Sequence, residues 1–247
     1  MICYIYDGSF EGLLTCIYEA YYNKENPEEI LKKEEFIPNL LTKEVYIKSD
    51  MNKFSKVYEA IKLKVSPVSL KYVFYVYLSD INGSSNLIYN YVRLGFKLGK
   101  NVDLYLHDNR VLKIHMIVKK VTSEFHRMLG FVRFKDIDNK FLYAPIEPDH
   151  NITALITPHF TERLRSENFI IHDLKREVAS IYDKNGWSIT SLPKEYGLRL
   201  LYENENGLYE TLWKEYFKST TIENRLNPKL QKMHMPKRYW KFLTELP

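Results

Sequence analysis

Hydrophobic residues recur through the first half of the chain mainly with helical spacing. Residues 2–6 form a short apolar run that predicts a strand, and the pattern after Ser9 predicts a helix. Asn26-Pro27, followed by glutamates, predicts a second short helix, and residues 44–48 predict a strand. Asp50 and Ser66 have the side chains of helix N-caps, and Gly99 is typical of a helix end. Four further helices are predicted over residues 50–63, 66–78, 84–98 and 109–126.

The hydrophobic period changes after residue 126. Residues 130–146 predict a β-hairpin that turns at 136–139, and alternation then places Phe131, Arg133 and Lys135 on one face. The remaining predicted elements are a helix over 151–164, strands over 168–173, 176–183 and 186–190, a helix over 207–218 and another after Pro236.

These elements predict an α+β fold, because helices and strands are segregated along the chain. We expect residues 1–126 to be mostly helical with a small β element. We expect residues 127–247 to form an antiparallel β-rich half that is closed by the basic C-terminal helices. The two regions are expected to pack as one compact unit.

Composition places the chain among cytoplasmic globular proteins. Hydrophobic residues make up 45% of its 247 residues and charged residues 27%. No run of eighteen apolar residues is present, so we expect no membrane span. Cys3 and Cys16 lack CxxC spacing and are expected to be reduced. The 20 tyrosines fit either half-buried binding surfaces or an AT-rich genome.

Charge is concentrated near the C-terminus, although the net charge is only +5. No acidic residue lies between Glu223 and Glu245. Cations interleaved with aromatic rings suit a phosphate backbone and exposed bases. The other interpretation is a solvated basic rim around a core that contains Trp213 and Trp240. The candidate nucleic-acid contacts are Arg127, Arg133, Arg225, Lys229, Lys232, His234, Lys237, Arg238 and Tyr239.

Residues suited to acid–base chemistry accumulate in the second half of the chain. Catalytic candidates are His126, Arg133, His150, His159 and Asp173, which supply bases, a cation and a carboxylate. Capping and ordinary hydrogen bonding are the alternative roles for the histidines. No HExxH spacing occurs, so we assign no metal ligands and identify no cofactor.

Two partial motifs have structural alternatives. Residues 130–134 (GFVRF) match half of the aromatic strand of RNA-recognition motifs, but a strand with one face packed on the core is the favoured interpretation. The turn Asp7-Gly8-Ser9 precedes a helix, where backbone N–H groups bind anions. Capping by Ser9 or Asp7 is the favoured role of this turn.

Six segments carry a family resemblance. They are residues 5–21 (IYDGSFEGLLTCIYEAY), 126–134 (HRMLGFVRF), 143–152 (YAPIEPDHNI), 159–164 (HFTERL), 170–183 (IIHDLKREVASIYD) and 212–240. Together they resemble a bacterial family of DNA metabolism or DNA repair proteins, a domain of unknown function. Similar domains occur fused to uracil-DNA-glycosylase-like domains and beside radical-SAM proteins. The resemblance implies a role in DNA repair or modification and names no reaction for this domain.

Three hypotheses follow from the sequence. The leading one is a DNA-binding protein of bacterial DNA repair or modification, with phosphate contacts in the basic-aromatic C-terminal segment. The second is a non-catalytic adaptor for a radical-SAM or glycosylase partner, which predicts an exposed apolar patch. Tyr72, Tyr75, Tyr77, Tyr89 and Tyr91 are the candidates for that patch. The third is a metal-dependent hydrolase that acts on nucleotides.

Overall fold

The chain forms a mixed α+β structure of two compact units, which comprise residues 1–122 and 123–247. The computed structural model describes residues 2–38, 41–203 and 208–245. Helices account for 56% of the structure and strands for 16%, so the α+β class predicted from the sequence is confirmed.

Unit 1 contains a three-stranded parallel sheet. Its strands are β1 (Ile2–Tyr6), β2 (Glu29–Lys32) and β3 (Lys43–Tyr46), and β1 lies in the centre. The helix predicted after Asn26-Pro27 is wrong, because this segment becomes β2. Cys3 to Tyr6 pair in register with Glu29 to Lys32, and Ile30 is fully buried. Pairing with the central strand therefore outweighs the local helix-start signals.

Helices surround the sheet of unit 1. They are α1 (Phe10–Tyr22), α2 (Met51–Ala60), α3 (Pro67–Leu78), α4 (Ser84–Leu98) and α5 (Asn109–Phe131), of which α5 continues into unit 2. Ser9, Asp50 and Ser66 cap α1, α2 and α3 with their side chains, which confirms the predicted caps. The polypeptide continues beyond α2 as a π-helical turn, Ile61–Val65. Gly99 ends α4 with a φ of +60°, a conformation that glycine adopts without strain.

Unit 2 is built on a five-stranded sheet. Its strands are β4 (Lys135–Ile137), β5 (Phe141–Ile146), β6 (Phe169–Asp173), β7 (Val178–Tyr182) and β8 (Trp187–Ser191), and they lie in sequence order. All neighbours are antiparallel except β5 and β6, so the sheet is mostly antiparallel, and the parallel pair is the departure from the expected antiparallel arrangement. Helix α6 (Thr153–Arg163) connects β5 to β6 and permits their parallel pairing.

The predicted strand at residues 130–134 is also wrong. Helix α5 extends to Phe131, and the Val132 N–H donates to the carbonyl of Met128 at 3.2 Å. Met128 and Val132 are both buried and lie four residues apart, so the buried positions of this segment follow the helical period and not the alternation of a strand. The likeness of this segment to an RNA-recognition strand is therefore wrong, and the hairpin begins at Lys135.

Short helices complete unit 2. They are α7 (Lys194–Glu203), α8 (Leu208–Thr220), α9 (Pro228–His234) and 3-10 turns at Glu223–Arg225 and Lys237–Phe242. Helix α8 corresponds to the prediction over 207–218, whose first residue lies outside the described residues. The predicted helix after Pro236 is a 3-10 turn, and α7 and α9 were not predicted. No described helix has the length and apolarity needed to cross a bilayer.

Candidate nucleic-acid interface

A charged cleft of about 540 Å³ lies in unit 2 where four segments meet. They are the loop after β5, the β6–β7 turn, the start of α7 and the 3-10 turn near the C-terminus. The cleft is lined by Glu147, Pro148, Asp149, Leu174, Lys175, Arg176, Glu177, Lys194 and Arg238.

Glu124 of α5 holds the loop that follows β5. Its carboxylate accepts the backbone N–H groups of Asp149 and His150 at 2.7 and 2.8 Å. The Tyr239 hydroxyl donates to the same carboxylate at 2.5 Å. Glu124 is 3% exposed, so these three donors replace the water that its charge would otherwise bind. Burial, followed by the hydrogen bond to Glu124, raises the pKa of the Tyr239 hydroxyl.

Asp173 and Arg176 form a second buried clamp on the same loop. Asp173 ends β6, is fully buried and accepts the Arg176 Nη1 group at 3.0 Å. The Arg176 guanidinium also donates to the carbonyls of Pro148 and Asp149, at 3.1 and 2.7 Å. Burial raises the pKa of the Asp173 carboxyl, and the neighbouring guanidinium opposes that rise. The β6–β7 turn is thereby fixed to the loop that carries His150.

Most cations around the cleft are paired. Arg238 lies 2.8 Å from Asp149, and Lys241 and Lys194 lie 2.8 and 3.8 Å from Glu147. Within residues 2–38, 41–203 and 208–245, Lys175 has no carboxylate within 4.0 Å, and its side chain is exposed. Lys175 is therefore the cleft cation most accessible to an anionic ligand.

Five exposed basic residues precede Arg238 and form a surface that we call the cation row. Between Glu223 and Glu245 the chain has no acidic residue. All five side chains are exposed, and none lies within 4.0 Å of a carboxylate in the described part of the chain. The row consists of Arg225, Lys229, Lys232, His234 and Lys237.

Two predicted contacts have other partners. Tyr239 is only 6% exposed and its hydroxyl is bonded to Glu124, so its ring is not available for base stacking. Arg133 pairs with Glu245 through its Nη2 and Nε groups, at 2.5 and 3.2 Å. Arg127 is half-buried on α5. The exposed cation row thus remains the accessible part of the predicted contact set.

A protein-family model matches residues 82–245, about two thirds of the chain, and is described as a domain of unknown function, DUF4130. The chain belongs to the DUF4130 family. No curated protein and no solved structure matches the chain. The DUF4130 region begins before α4 and includes the whole cleft and the cation row.

The catalytic candidates of the DUF4130 region lie in different environments. His150 and Asp173 belong to one network, because Arg176 contacts both Asp173 and the loop that carries His150. His126 is exposed on α5, and His159 is half-buried on α6 against Phe160. Neither forms a hydrogen bond or ion pair with a described residue. The described residues contain no group of three His, Cys, Asp or Glu side chains that is arranged to hold a metal ion.

Glu124, Arg176 and His172 are not among the catalytic or nucleic-acid-binding residues predicted from the sequence. Glu124 has a sequence signal, since it lies on the same helical stripe as the buried Val121 and Met128. His172 is fully buried, and its Nε2 lies 2.9 Å from the carbonyl of Leu192. That nitrogen donates, so Nδ1 of the neutral ring accepts the Tyr143 hydroxyl at 2.8 Å.

Proposed function

We propose that this protein binds nucleic acid in the bacterial cytoplasm through the cation row. The observation that carries the proposal is the exposure of five basic side chains that lack carboxylate partners among the described residues. Unpaired surface cations attract a polyanion, since no internal ion pair has to be broken on binding. Phosphate contacts would release condensed counterions from the strand, which makes the affinity dependent on salt.

The cleft extends this surface. Lys237 is followed directly by Arg238, which lines the cleft, and Lys175 lies on the opposite turn. Arg238 is itself paired with Asp149, so a phosphate there competes with a carboxylate. The proposal therefore assigns affinity to the row and to Lys175, with a smaller contribution from Arg238. The family resemblance supplies the context of DNA repair or modification and makes DNA the proposed ligand.

A salt titration tests this proposal. Fluorescence anisotropy measures binding of single-stranded, duplex and uracil-containing DNA to wild type and to a variant with Lys229, Lys232 and Lys237 changed to alanine. We expect the slope of log affinity against log salt to become shallower by up to about 2.7 for duplex DNA, which is about 0.9 for each phosphate that the protein no longer neutralises.

A charge-matched control separates local phosphate binding from net charge. Lys113, Lys119 and Lys120 are exposed on α5, and changing them to alanine removes the same charge. The control variant is expected to keep the wild-type slope. Absence of DNA binding at low salt, or equal losses in the two variants, would refute the proposal.

One observation favours an adaptor role as a second candidate. Helix α8 exposes Leu212, Trp213, Tyr216 and Phe217, which recur with helical spacing. The tyrosines expected to form such a patch do not, because Tyr89 and Tyr91 are buried. Clustered exposed apolar residues are typical of protein interfaces. Sedimentation with a purified radical-SAM or glycosylase partner tests this role. Absence of a complex with wild type would contradict it, and a complex that survives Leu212→Ala/Tyr216→Ala would exclude α8 as the interface.

The hydrolase hypothesis has less support than the other two. A metal-dependent hydrolase needs three or four converging ligands, and the described residues contain no such group. The acid–base candidates that the fold does connect, His150 and Asp173, are both buried, and neither lines the cleft.

A further inference from the structure

Unit 1 contains a groove of about 220 Å³ that shares no lining residue with the cleft of unit 2. Helix α1 forms one wall, α2 with its π-helical turn forms the other, and α4 contributes one aromatic side chain. The groove is lined by Ile17, Tyr18, Tyr21, Tyr22, Lys56, Val57, Ala60, Lys64 and Phe96. Its volume is below the roughly 300 Å³ at which pockets for drug-sized ligands begin, which restricts the enclosed part of a ligand to one small ring system.

Three tyrosines of α1 give this groove an aromatic wall. The rings of Tyr18 and Tyr22 stack, with centroids 4.1 Å apart and planes inclined by 21°. Tyr21 meets Tyr22 edge-on at 5.5 Å. Tyr21 and Tyr22 remain 73% and 61% exposed, so a large part of each side chain is accessible to a ligand. Exposed aromatic rings are a suitable platform for a further planar ring.

Lysines form the opposite rim. The Lys56 Nζ lies 5.6 Å from the centre of the Tyr18 ring, and Lys64 lines the groove one helical segment further on. Lys53 also lies over Tyr18, but Glu19 neutralises it through an ion pair. Neither Lys56 nor Lys64 has a carboxylate within 4.0 Å among the residues that the structure describes. The rim therefore carries two cations that are not neutralised by a nearby carboxylate.

The backbone of this region departs from regular helix where the groove is formed. The π-helical turn Ile61–Val65 includes Lys64, and such turns are frequent at functional sites. Gly95 of α4 permits the close approach of this turn, because a Cβ there would lie 3.1 Å from Val65 Cγ1. The neighbouring Phe96 then reaches the groove.

We propose that this groove binds one nucleotide unit, with the base stacked on the ring of Tyr21 or Tyr22 and the phosphate held by Lys56 and Lys64. The aromatic wall matches the π-face of a base, and the two cations match the charge of a phosphate monoester. The ligand chemistry is shared by a free mononucleotide and by one nucleotide of a single strand. The proposal does not depend on the cation row of unit 2.

Calorimetric titration of the full chain tests the proposal, with AMP, adenosine, inorganic phosphate and a short oligodeoxyadenylate as probes. AMP is expected to bind more tightly than adenosine or phosphate alone. Tyr21→Ala/Tyr22→Ala should weaken AMP binding about tenfold or more, since stacking on an aromatic residue contributes that much per base. Lys56→Ala/Lys64→Ala should weaken AMP binding while leaving adenosine binding unchanged.

Two controls keep the result interpretable. Tyr202→Ala removes a tyrosine of unit 2 that is 76% exposed and is expected to bind AMP like wild type. The variant without Lys229, Lys232 and Lys237 should also retain AMP binding, which separates this groove from the cation row. In the variant without Lys229, Lys232 and Lys237, equal affinity for AMP and the oligonucleotide identifies a free nucleotide as the ligand of the groove, and tighter oligonucleotide binding identifies a strand.

Two outcomes would overturn the proposal. The first is no binding of AMP or oligonucleotide at millimolar concentration. The second is wild-type affinity in the Tyr21→Ala/Tyr22→Ala variant. Concentration-dependent dimerisation that this variant abolishes, without AMP binding, would assign the exposed tyrosines to a contact between copies of the chain.

Discussion

Changing Arg133 to alanine tests whether this residue binds nucleic acid or holds the C-terminus in place. Its guanidinium forms two hydrogen bonds with Glu245 and donates to the carbonyls of Gly130 and Val132, at 2.7 and 3.2 Å. Glu245 also accepts the Trp213 indole N–H at 3.1 Å. The arginine thus joins the end of α5, helix α8 and the C-terminal segment.

The expected loss of stability follows from the burial of the pair. The Glu245 side chain is 4% exposed, so removal of Arg133 leaves a nearly buried carboxylate with the indole as its remaining side-chain donor. Breaking a fully buried ion pair costs about 3–5 kcal/mol. The Arg133 side chain is 24% exposed, and water entering from its side offsets part of that cost. We therefore expect a decrease of about 2–3 kcal/mol in the free energy of unfolding.

Urea denaturation of wild type, Arg133→Ala, Glu245→Gln and the double variant measures this loss and the coupling between the two residues. The double variant should be less destabilised than the sum of the single variants by about 1–2 kcal/mol. Burial acts to raise the pKa of Glu245, but the hydrogen bonds from Arg133 outweigh it, so that pKa is lower than usual. This pair therefore stabilises the fold above the unfolded pKa of about 4.3, and its contribution disappears as the pH falls through the folded value.

The DNA-binding assay tests the alternative, in which Arg133 contacts a phosphate. An arginine that holds Glu245 contributes no phosphate contact, so Arg133→Ala should keep the wild-type salt slope. A variant that unfolds within about 0.5 kcal/mol of wild type and loses about 0.9 from the slope would refute this reasoning and make Arg133 a phosphate ligand.

Three further predictions concern the interior of unit 2. Gly197→Ala should destabilise by about 1–3 kcal/mol, because the new Cβ would lie 2.2 Å from Tyr143 Oη and 2.7 Å from His172 Nδ1. Gly130 lies in open space on α5, so Gly130→Ala should instead stabilise the fold by about 0.5–1 kcal/mol in the same urea assay. If both glycine variants change the free energy of unfolding in the same direction, the packing argument is contradicted. Burial lowers the pKa of His172, so its neutral form stabilises the fold above the unfolded pKa of about 6.5, and that contribution is lost as the pH falls through the folded value. His172→Gln should therefore reduce the slope of the unfolding free energy against pH between about pH 7 and 5, where one proton contributes at most about 1.4 kcal/mol per pH unit. If the variant keeps the wild-type slope, His172 is not the source of this pH dependence. Tyr239→Phe should cost about 1.5–3 kcal/mol by removing a donor from Glu124, and it should keep the DNA salt slope because the ring is buried.

Local signals account for the parts of the fold that the sequence predicts well. Asp50 and Ser66 accept hydrogen bonds from backbone groups two or three residues away, so their capping roles are encoded within a few positions. The runs that became β6 and β7 are short, apolar and bounded by turn residues. Such elements can be predicted because the residues that determine them are neighbours in the chain.

Contacts between distant parts of the chain explain the two wrong secondary-structure predictions. Residues 29–32 carry helix-start signals, yet they form a strand because β1 provides a parallel partner. The alternation at residues 130–134 resembles a strand, but burial of Met128 and Val132 continues α5. In both segments the outcome depends on a surface formed by distant residues, and no short sequence window contains it.

In the candidate site, too, local features can be predicted from the sequence and long-range contacts cannot. The absence of acidic residues near the cation row is visible in the sequence, and the exposure of its cations was predicted as one alternative. The pairing of Arg133 with Glu245 spans 112 positions, and that of Tyr239 with Glu124 spans 115. Neighbouring residues do not reveal such partners, which is why two predicted contacts have structural roles instead.

Glu124 links the cation row to the cleft. It receives the hydroxyl of Tyr239, two residues after Lys237, and the amides of Asp149 and His150. A strand held at Lys237 is therefore placed at a defined distance from the loop that carries His150. If the cation row binds DNA, a strand that continues past Lys237 reaches Arg238 and the cleft. Lys175, exposed on the facing turn, would be the next cation that such a strand meets, so its substitution should lower the salt slope by about 0.9 while the cation row stays intact.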